Sequence, residues 1–185
     1  MVVLVFSILA VLSPLVAGRW PAAVVLHRWR WAWLVWGSLL LQIALFSFGF
    51  AERIAPALHI LTYVAAIVFL WMNRAVKGAV IVAAGALSNG VTIALNGGVL
   101  PASAAAQAAA GIVPEEGAVN SGVLADPILP WLGDVFAWPE PLPLANTFSV
   151  GDVLLVVGVA VAAWAGSRRI GAPLETPDTS VAPAS

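Results

Sequence analysis

Five long apolar runs, separated by segments that hold nearly all the charge, constrain this chain more than any motif it contains. They cover about residues 2–17, 32–51, 56–72, 78–96 and 149–166. A helix of roughly 20 apolar residues is long enough to cross a bilayer, and runs near that length predict membrane spans. Soluble domains carry about a quarter charged residues. Here 9% are charged and 62% hydrophobic. The sequence therefore predicts an all-α fold: a polytopic membrane bundle of five transmembrane helices over residues 1–166. Residues 99–148 form its long acidic, proline-rich extracytoplasmic loop, and 167–185 a disordered cytoplasmic tail.

Lysine and arginine set the expected orientation. Arg19, Arg28 and Arg30 follow the first run, Arg74 and Lys77 the third, and Arg168 and Arg169 the fifth. The 52–55 turn holds only Arg53, and residues 99–148 hold no basic residue. This alternation predicts a multi-pass protein of the bacterial plasma (inner) membrane, N-terminus outside and C-terminus cytoplasmic. A cleaved leader ending at Val16-Ala17-Gly18 is the competing reading. It lacks a positive start and would reverse the charge pattern. Trp20, Trp29 and Trp31 interleave with the first arginines, as in an anchor to lipid headgroups, so membrane lipids are expected partners and nucleic acid is not. With no cysteine, disulfides and thiolate chemistry are excluded.

Within the fourth run, Gly85, Asn89, Thr92 and Asn96 are spaced four, three and four apart, which places them on one helical face. Polar groups in an apolar setting need partners, so this stripe reads either as interhelical glue or as the wall of a small-molecule site. Asn96-Gly97-Gly98 with Pro101 reads as a helix end. Its two glycines also let a ligand approach bare backbone. Ser149 and Asp152 open the last run with capping-box spacing, aspartate standing in for the usual Glu or Gln. Asp152 is also the only carboxylate inside an apolar run, which marks it for function. The candidate polar site is thus Asn89, Thr92, Asn96, Gly97, Gly98, Ser149 and Asp152, with Asp134 from the loop.

The loop holds Glu115, Glu116, Asp126, Asp134 and Glu140. Its alanine-rich start, Ala102 to Ala110, predicts a short helix, and its five prolines beyond residue 126 predict extended, turn-rich chain. Trp131 and Trp138 are expected to pack back on the rest of the protein, making the loop a lid. Gln42 reads as an interhelical hydrogen-bonding residue. His59 reads as a packed side chain, although Asp152, Asp134, His59 and Glu52 together have the makings of acid–base chemistry. No metalloprotease, hydrolase or phosphate-loop motif occurs, so no catalytic residue, metal or cofactor is assigned.

Asn89, then Asn96-Gly97-Gly98 with Pro101 and Ser103, then Leu132-Gly133-Asp134-Val135, then Phe148-Ser149-Val150-Gly151-Asp152, occur in this order. In this the chain resembles a bacterial membrane family, widespread in actinobacteria, designated domain of unknown function 5317. The resemblance covers roughly residues 2–166. Leu100 stands where the family pattern has methionine. The family has no assigned activity, so the resemblance implies a class and marked positions but no reaction.

Three functions follow as expectations. The first is a non-enzymatic accessory or assembly component of the cell envelope, contacting another membrane or envelope protein through the outer loop. The second is binding or transport of a small polar solute or lipid headgroup between the fourth and fifth spans. The third is an envelope enzyme acting on a lipid-linked substrate, with Asp152 or Asp134 as base.

Overall fold

The computed structural model describes residues 2–48, 55–113 and 121–171. Two glycine-bearing helices form its centre. Helices α5 (Ala79–Leu95) and α7 (Val150–Ala165) run antiparallel and make the largest interface in the molecule. Gly78, just ahead of α5, lies against Gly158, and Gly85 lies against Gly151 and Leu154. Both glycine pairs are seven residues apart, about two helical turns, so they recur on the facing sides. A Cβ at any of the four would run into the opposite backbone or side chains. Close approach of the two backbones is therefore built from missing side chains.

The other helices pack outward from this pair. α4 (Ala55–Met72) lies on α5, and α3 (Trp33–Phe48) lies on α4. α1 (Val2–Leu12) packs against α7, as does the short α2 (Ala22–Val25). The first helix stops early because Ser13-Pro14 turns the chain into a 3-10 segment, closed by Gly18 at φ 65°. Ser13 Oγ donates to the Ala10 carbonyl and accepts from Trp164 Nε1, which ties that turn to the end of α7.

Short strands join the rest. β1 (Arg19–Trp20) pairs antiparallel with β6 (Arg168–Arg169). β2 (Leu100–Pro101) pairs parallel with β3 (Ser121–Gly122). The alanine-rich stretch forms α6 (Ala104–Ala109), N-capped by Ser103. β4 (Phe136–Trp138) and β5 (Asn146–Phe148) form an antiparallel hairpin in which Phe136 stacks on Phe148 at 5.4 Å. Trp138 meets Phe6 of α1 edge-on at 5.2 Å and donates to the Pro143 carbonyl. Trp131, by contrast, is 63% exposed.

These observations correct the expected architecture. The described residues are mixed helix and short strand, with seven helices, and none of those helices is long and apolar enough to cross a membrane. The physical reason is length. Ser13-Pro14 cuts the first run, Gly78 and the Asn96-Gly97-Gly98 turn bound the fourth, and the five principal helices, as described, have 11, 16, 18, 17 and 16 residues. The longest also carries His59, Thr62 and Tyr63. The all-α bundle of five transmembrane helices therefore gives way to shorter helices packed with small sheets. The multi-pass plasma-membrane placement, with its outside and cytoplasmic ends, rested on those spans and is corrected with them. Glu52, Arg53, Glu115, Glu116 and the 172–185 tail lie outside the described residues, as does the Gln42 side chain.

Candidate functional site

The polar stripe of α5 meets the start of α7 through one buried asparagine. Asn89 is 2% exposed. Its Nδ2 donates to Asp152 Oδ1 at 3.1 Å, and its Oδ1 accepts from Ser149 Oγ at 2.9 Å. Ser149 and Asp152 are joined in turn by a capping box. The Ser149 amide donates to Asp152 Oδ2 at 2.9 Å, and the Asp152 amide donates to Ser149 Oγ at 3.0 Å. Each Asp152 oxygen accepts a hydrogen bond, and the carboxylate sits at the positive end of the α7 dipole. Gly151 makes room for this arrangement, since a Cβ there would strike Asn89 Oδ1.

The remaining stripe residues take different partners. Thr92, fully buried, donates to the Ser88 carbonyl of its own helix at 2.9 Å. Asn96 reaches into the loop, donating from Nδ2 to the Ile128 carbonyl and accepting on Oδ1 from the Ile128 amide, each at 2.8 Å. It thereby imitates a strand neighbour for one loop residue. Gly97 and Gly98 follow at φ 68° and 99°, and the Gly98 amide closes the helix on the Ile93 carbonyl at 2.8 Å. Gly98 also abuts Pro56 at the start of α4, where no side chain would fit.

Asp134 enters from the loop. It is 6% exposed and accepts on Oδ2 from Ser121 Oγ at 2.6 Å and from Thr147 Oγ1 at 3.4 Å. Its backbone is pinned on both sides, the amide to the Pro101 carbonyl and the carbonyl to the Ser103 amide. Burial pushes its carboxyl up to about 6, against the opposing hydrogen bond from Ser121, and the nearby Asp152 charge adds to the rise. Loss of water disfavours the charged form, and a like charge does the same.

Tyr63, the only tyrosine, lies near both carboxylates. Burial pushes its hydroxyl up to about 12, with Asp152 and Asp134 both adding to the rise and the Asn89 side chain opposing it. Gly90 leaves space for its ring. The His59 ring lies 5.5 Å from that of Tyr63. Burial lowers the pKa of His59 against an opposing hydrogen bond to the Gly98 backbone, and its Nδ1 is buried without a partner among the described residues.

The structure thus gathers Asn89, Ser149, Asp152 and Asp134 into one cluster with Tyr63, His59, Thr147 and Ser121. Thr92 and Asn96 border it, and Gly97 and Gly98 shape the turn beside it. Tyr63, Thr147 and Ser121 are absent from the expected site. A lone tyrosine in an apolar run was the available signal for the first, whereas short-range patterns carry none for the other two. Asn73 was missed as well. It is 2% exposed and clamps the Arg30 amide and carbonyl at 2.9 Å each, as Asn96 clamps Ile128.

Beside the cluster lies a cleft of about 230 Å³ between α1, α7 and the β4–β5 hairpin, lined by Val2, Phe6, Trp138, Phe148 and Val157 with Asp152 at its edge. Its surface is wholly apolar, because both Asp152 oxygens turn inward to Asn89 and Ser149. Among the described residues no group of three or more His, Cys, Asp or Glu is placed to hold a metal. Asp134, whose carboxyl is raised by burial, is the group of this cluster suited to take up a proton, and Asn89 joins α5 to the start of α7.

No curated protein and no solved structure matches the chain. A family model does, over residues 27–164, a span that contains α3 to α6, the loop and nearly all of α7. The chain therefore belongs to the family of unknown function DUF5317.

Proposed function

We propose that this protein is a non-enzymatic accessory or assembly component, in which the Asn89–Ser149–Asp152 cluster is a structural clasp and the 99–148 segment presents the contact surface. The observation that carries this reading is the closure of the cluster on itself. Both Asp152 oxygens, the Ser149 hydroxyl and both ends of the Asn89 amide have protein partners. A satisfied buried network rigidifies what it joins. Here it joins α5 to the start of α7, while Asn96 and Asp134 fasten the loop above them. On that loop Ile128, Trp131, Leu142 and Leu144 are exposed. Leu129 holds φ 56° just before Trp131, an unfavourable conformation for a non-glycine residue. A strained backbone that displays a tryptophan suits a partner contact.

One observation favours the second reading, a site for a small polar solute. The buried Nδ1 of His59 lacks a partner within the cluster and would accept or donate one hydrogen bond to a guest. Stability separates the two readings. A clasp loses about 1–3 kcal/mol when one buried partner is removed. A ligand site that holds uncompensated polar groups loses little or gains. Asn89→Ala and Asp152→Asn are expected to lower the thermal midpoint, and native mass spectrometry of the wild-type chain is expected to retain a protein partner that Trp131→Ala loses. Raised midpoints in both variants, with a small molecule retained by the wild type, would overturn the clasp in favour of the solute site.

A further inference from the structure

The charges of this molecule are sorted to opposite ends. Arg19, Arg28, Arg30, Arg74, Lys77, Arg168 and Arg169 are all the described lysines and arginines. They lie around the start of α5 and the end of α7, because Asn73 holds Arg30 and Ala23 bonds the Gly166 carbonyl. The described carboxylates, Asp126, Asp134, Glu140 and Asp152, belong to the loop and the start of α7, at the other end.

At the basic end a cleft of about 460 Å³ opens between α2 and the end of α7. Ala22, His27, Gly166, Ser167 and Arg168 line it. Its floor is a close backbone contact: the Ala23 amide donates to the Gly166 carbonyl at 3.1 Å, and a side chain on Gly166 would strike Ala23. Arg19 is oriented toward the same place, donating from Nε to Ser167 Oγ at 2.8 Å and from Nη2 to the Ser167 carbonyl at 2.6 Å. The β1–β6 ribbon sets Arg19 directly opposite Arg169, with Arg168 next in line. Like charges opposed across strands are destabilising, and among the described residues no carboxylate stands at this end to offset them. Ser167, which is buried, contributes only neutral acceptors to Arg19.

We propose that this cleft is a binding site for a phosphate-class oxyanion carried on a small organic group. Guanidinium groups match phosphate oxygens in paired hydrogen bonds, and Arg168 on the rim, with Arg19 and Arg169 on the adjoining ribbon, favours a multiply charged anion over a single carboxylate. The cleft, at about 460 Å³, is larger than a bare phosphate and has room for the organic part of an ester. Bound there, it neutralises the opposed arginines and takes up donors of Arg168 and His27 that have no described partner. The site is independent of the clasp, which lies at the far end of α7.

The test is calorimetric titration of the full chain at low salt with inorganic phosphate and with glycerol 3-phosphate, and sedimentation with vesicles of phosphatidylglycerol or phosphatidylcholine. Saturable binding of glycerol 3-phosphate, weakened about tenfold or more by Arg168→Gln and unchanged by Arg74→Gln, supports a soluble phosphate ester. Arg74 is a fair control because it is exposed, lies over the Trp71 ring and does not line the cleft. Binding only to phosphatidylglycerol vesicles, with the same loss in Arg168→Gln alone, supports the same chemistry presented as a headgroup. If Arg168→Gln fails to fold by circular dichroism, Arg168→Lys keeps the charge without the paired donors and should still weaken binding. Absence of saturable binding in every arm, or equal losses in the Arg168 and Arg74 variants, would overturn the proposal.

Discussion

The two ends of the α5–α7 pair solve opposite problems. Where α5 ends and α7 begins, Asn89, Ser149 and Asp134 are buried, with Asp152 and Tyr63 half-buried beside them, and side-chain hydrogen bonds join the two carboxylates and the asparagine to their neighbours. At the other end, arginines crowd a two-residue ribbon with no described carboxylate beside them, and Arg168 and Arg169 are exposed. Burial forces pairing, because an unpartnered polar group in the interior costs far more than one in water. Exposure permits a surplus of charge, which water and salt screen. Thus the acidic end is satisfied from within, His59 Nδ1 apart, and the basic end is the one left open to an outside anion.

The sharpest way to break this contrast is to force the closed end apart. Gly151→Ala would drive a methyl group into Asn89 Oδ1 and toward the Gly85 carbonyl, so α5 and α7 would have to separate. A loss of about 3 kcal/mol or more in urea unfolding is expected. A loss near zero would show that the helices slip easily and that the clasp is not tight.

Removing the central partner is next in size. Asn89→Ala leaves the Ser149 hydroxyl and one Asp152 oxygen without their partner, a cost of about 2 kcal/mol. Thermal melts of the variant against wild type check it.

Titration probes the same end more gently. The Asp134 carboxyl lies at about 6 in the folded protein, above its ordinary value. The stability it contributes is therefore fully present below about pH 4 and is lost as pH rises through 6, amounting to about 3 kcal/mol. Asp134→Asn should flatten that decline when melting is followed from pH 4 to pH 8. An unchanged slope would assign the decline elsewhere.

The smallest effect belongs to the open end. Arg169→Gln removes one of two opposed cations, so stability should rise by about 0.5 kcal/mol at low salt and the gain should vanish near 1 M salt. Destabilisation instead would show that the opposed pair is not repulsive.

Parts of the clasp were legible in one dimension. Asn89, Thr92 and Asn96 share a face by helical period alone, and the Ser149–Asp152 capping box follows from its spacing of three. The bounds of α4, α5 and α7 were legible to within a residue at each end, whereas the break in the first run and the failure of the helices to reach spanning length were not. Hydropathy reports that a run avoids water, but not whether it does so in one long helix or in shorter ones broken at Ser13-Pro14 and packed on each other. The two-residue strands at Leu100–Pro101 and Ser121–Gly122 were also beyond reach, because each depends on a partner that closes a loop.

By itself, then, the sequence determined what is local: a polar stripe on one helix, a cap on another, a turn at the glycine pair, and charges of opposite sign in different segments. Only the tertiary structure decided which of these meet. Asn89 and Asp152 are 63 residues apart, and Arg19 and Ser167 are 148 apart. The first meeting depends on seven-residue glycine spacings that let α5 and α7 touch backbone to backbone, and the second on the pairing of β1 with β6, packing conditions that no single segment carries alone.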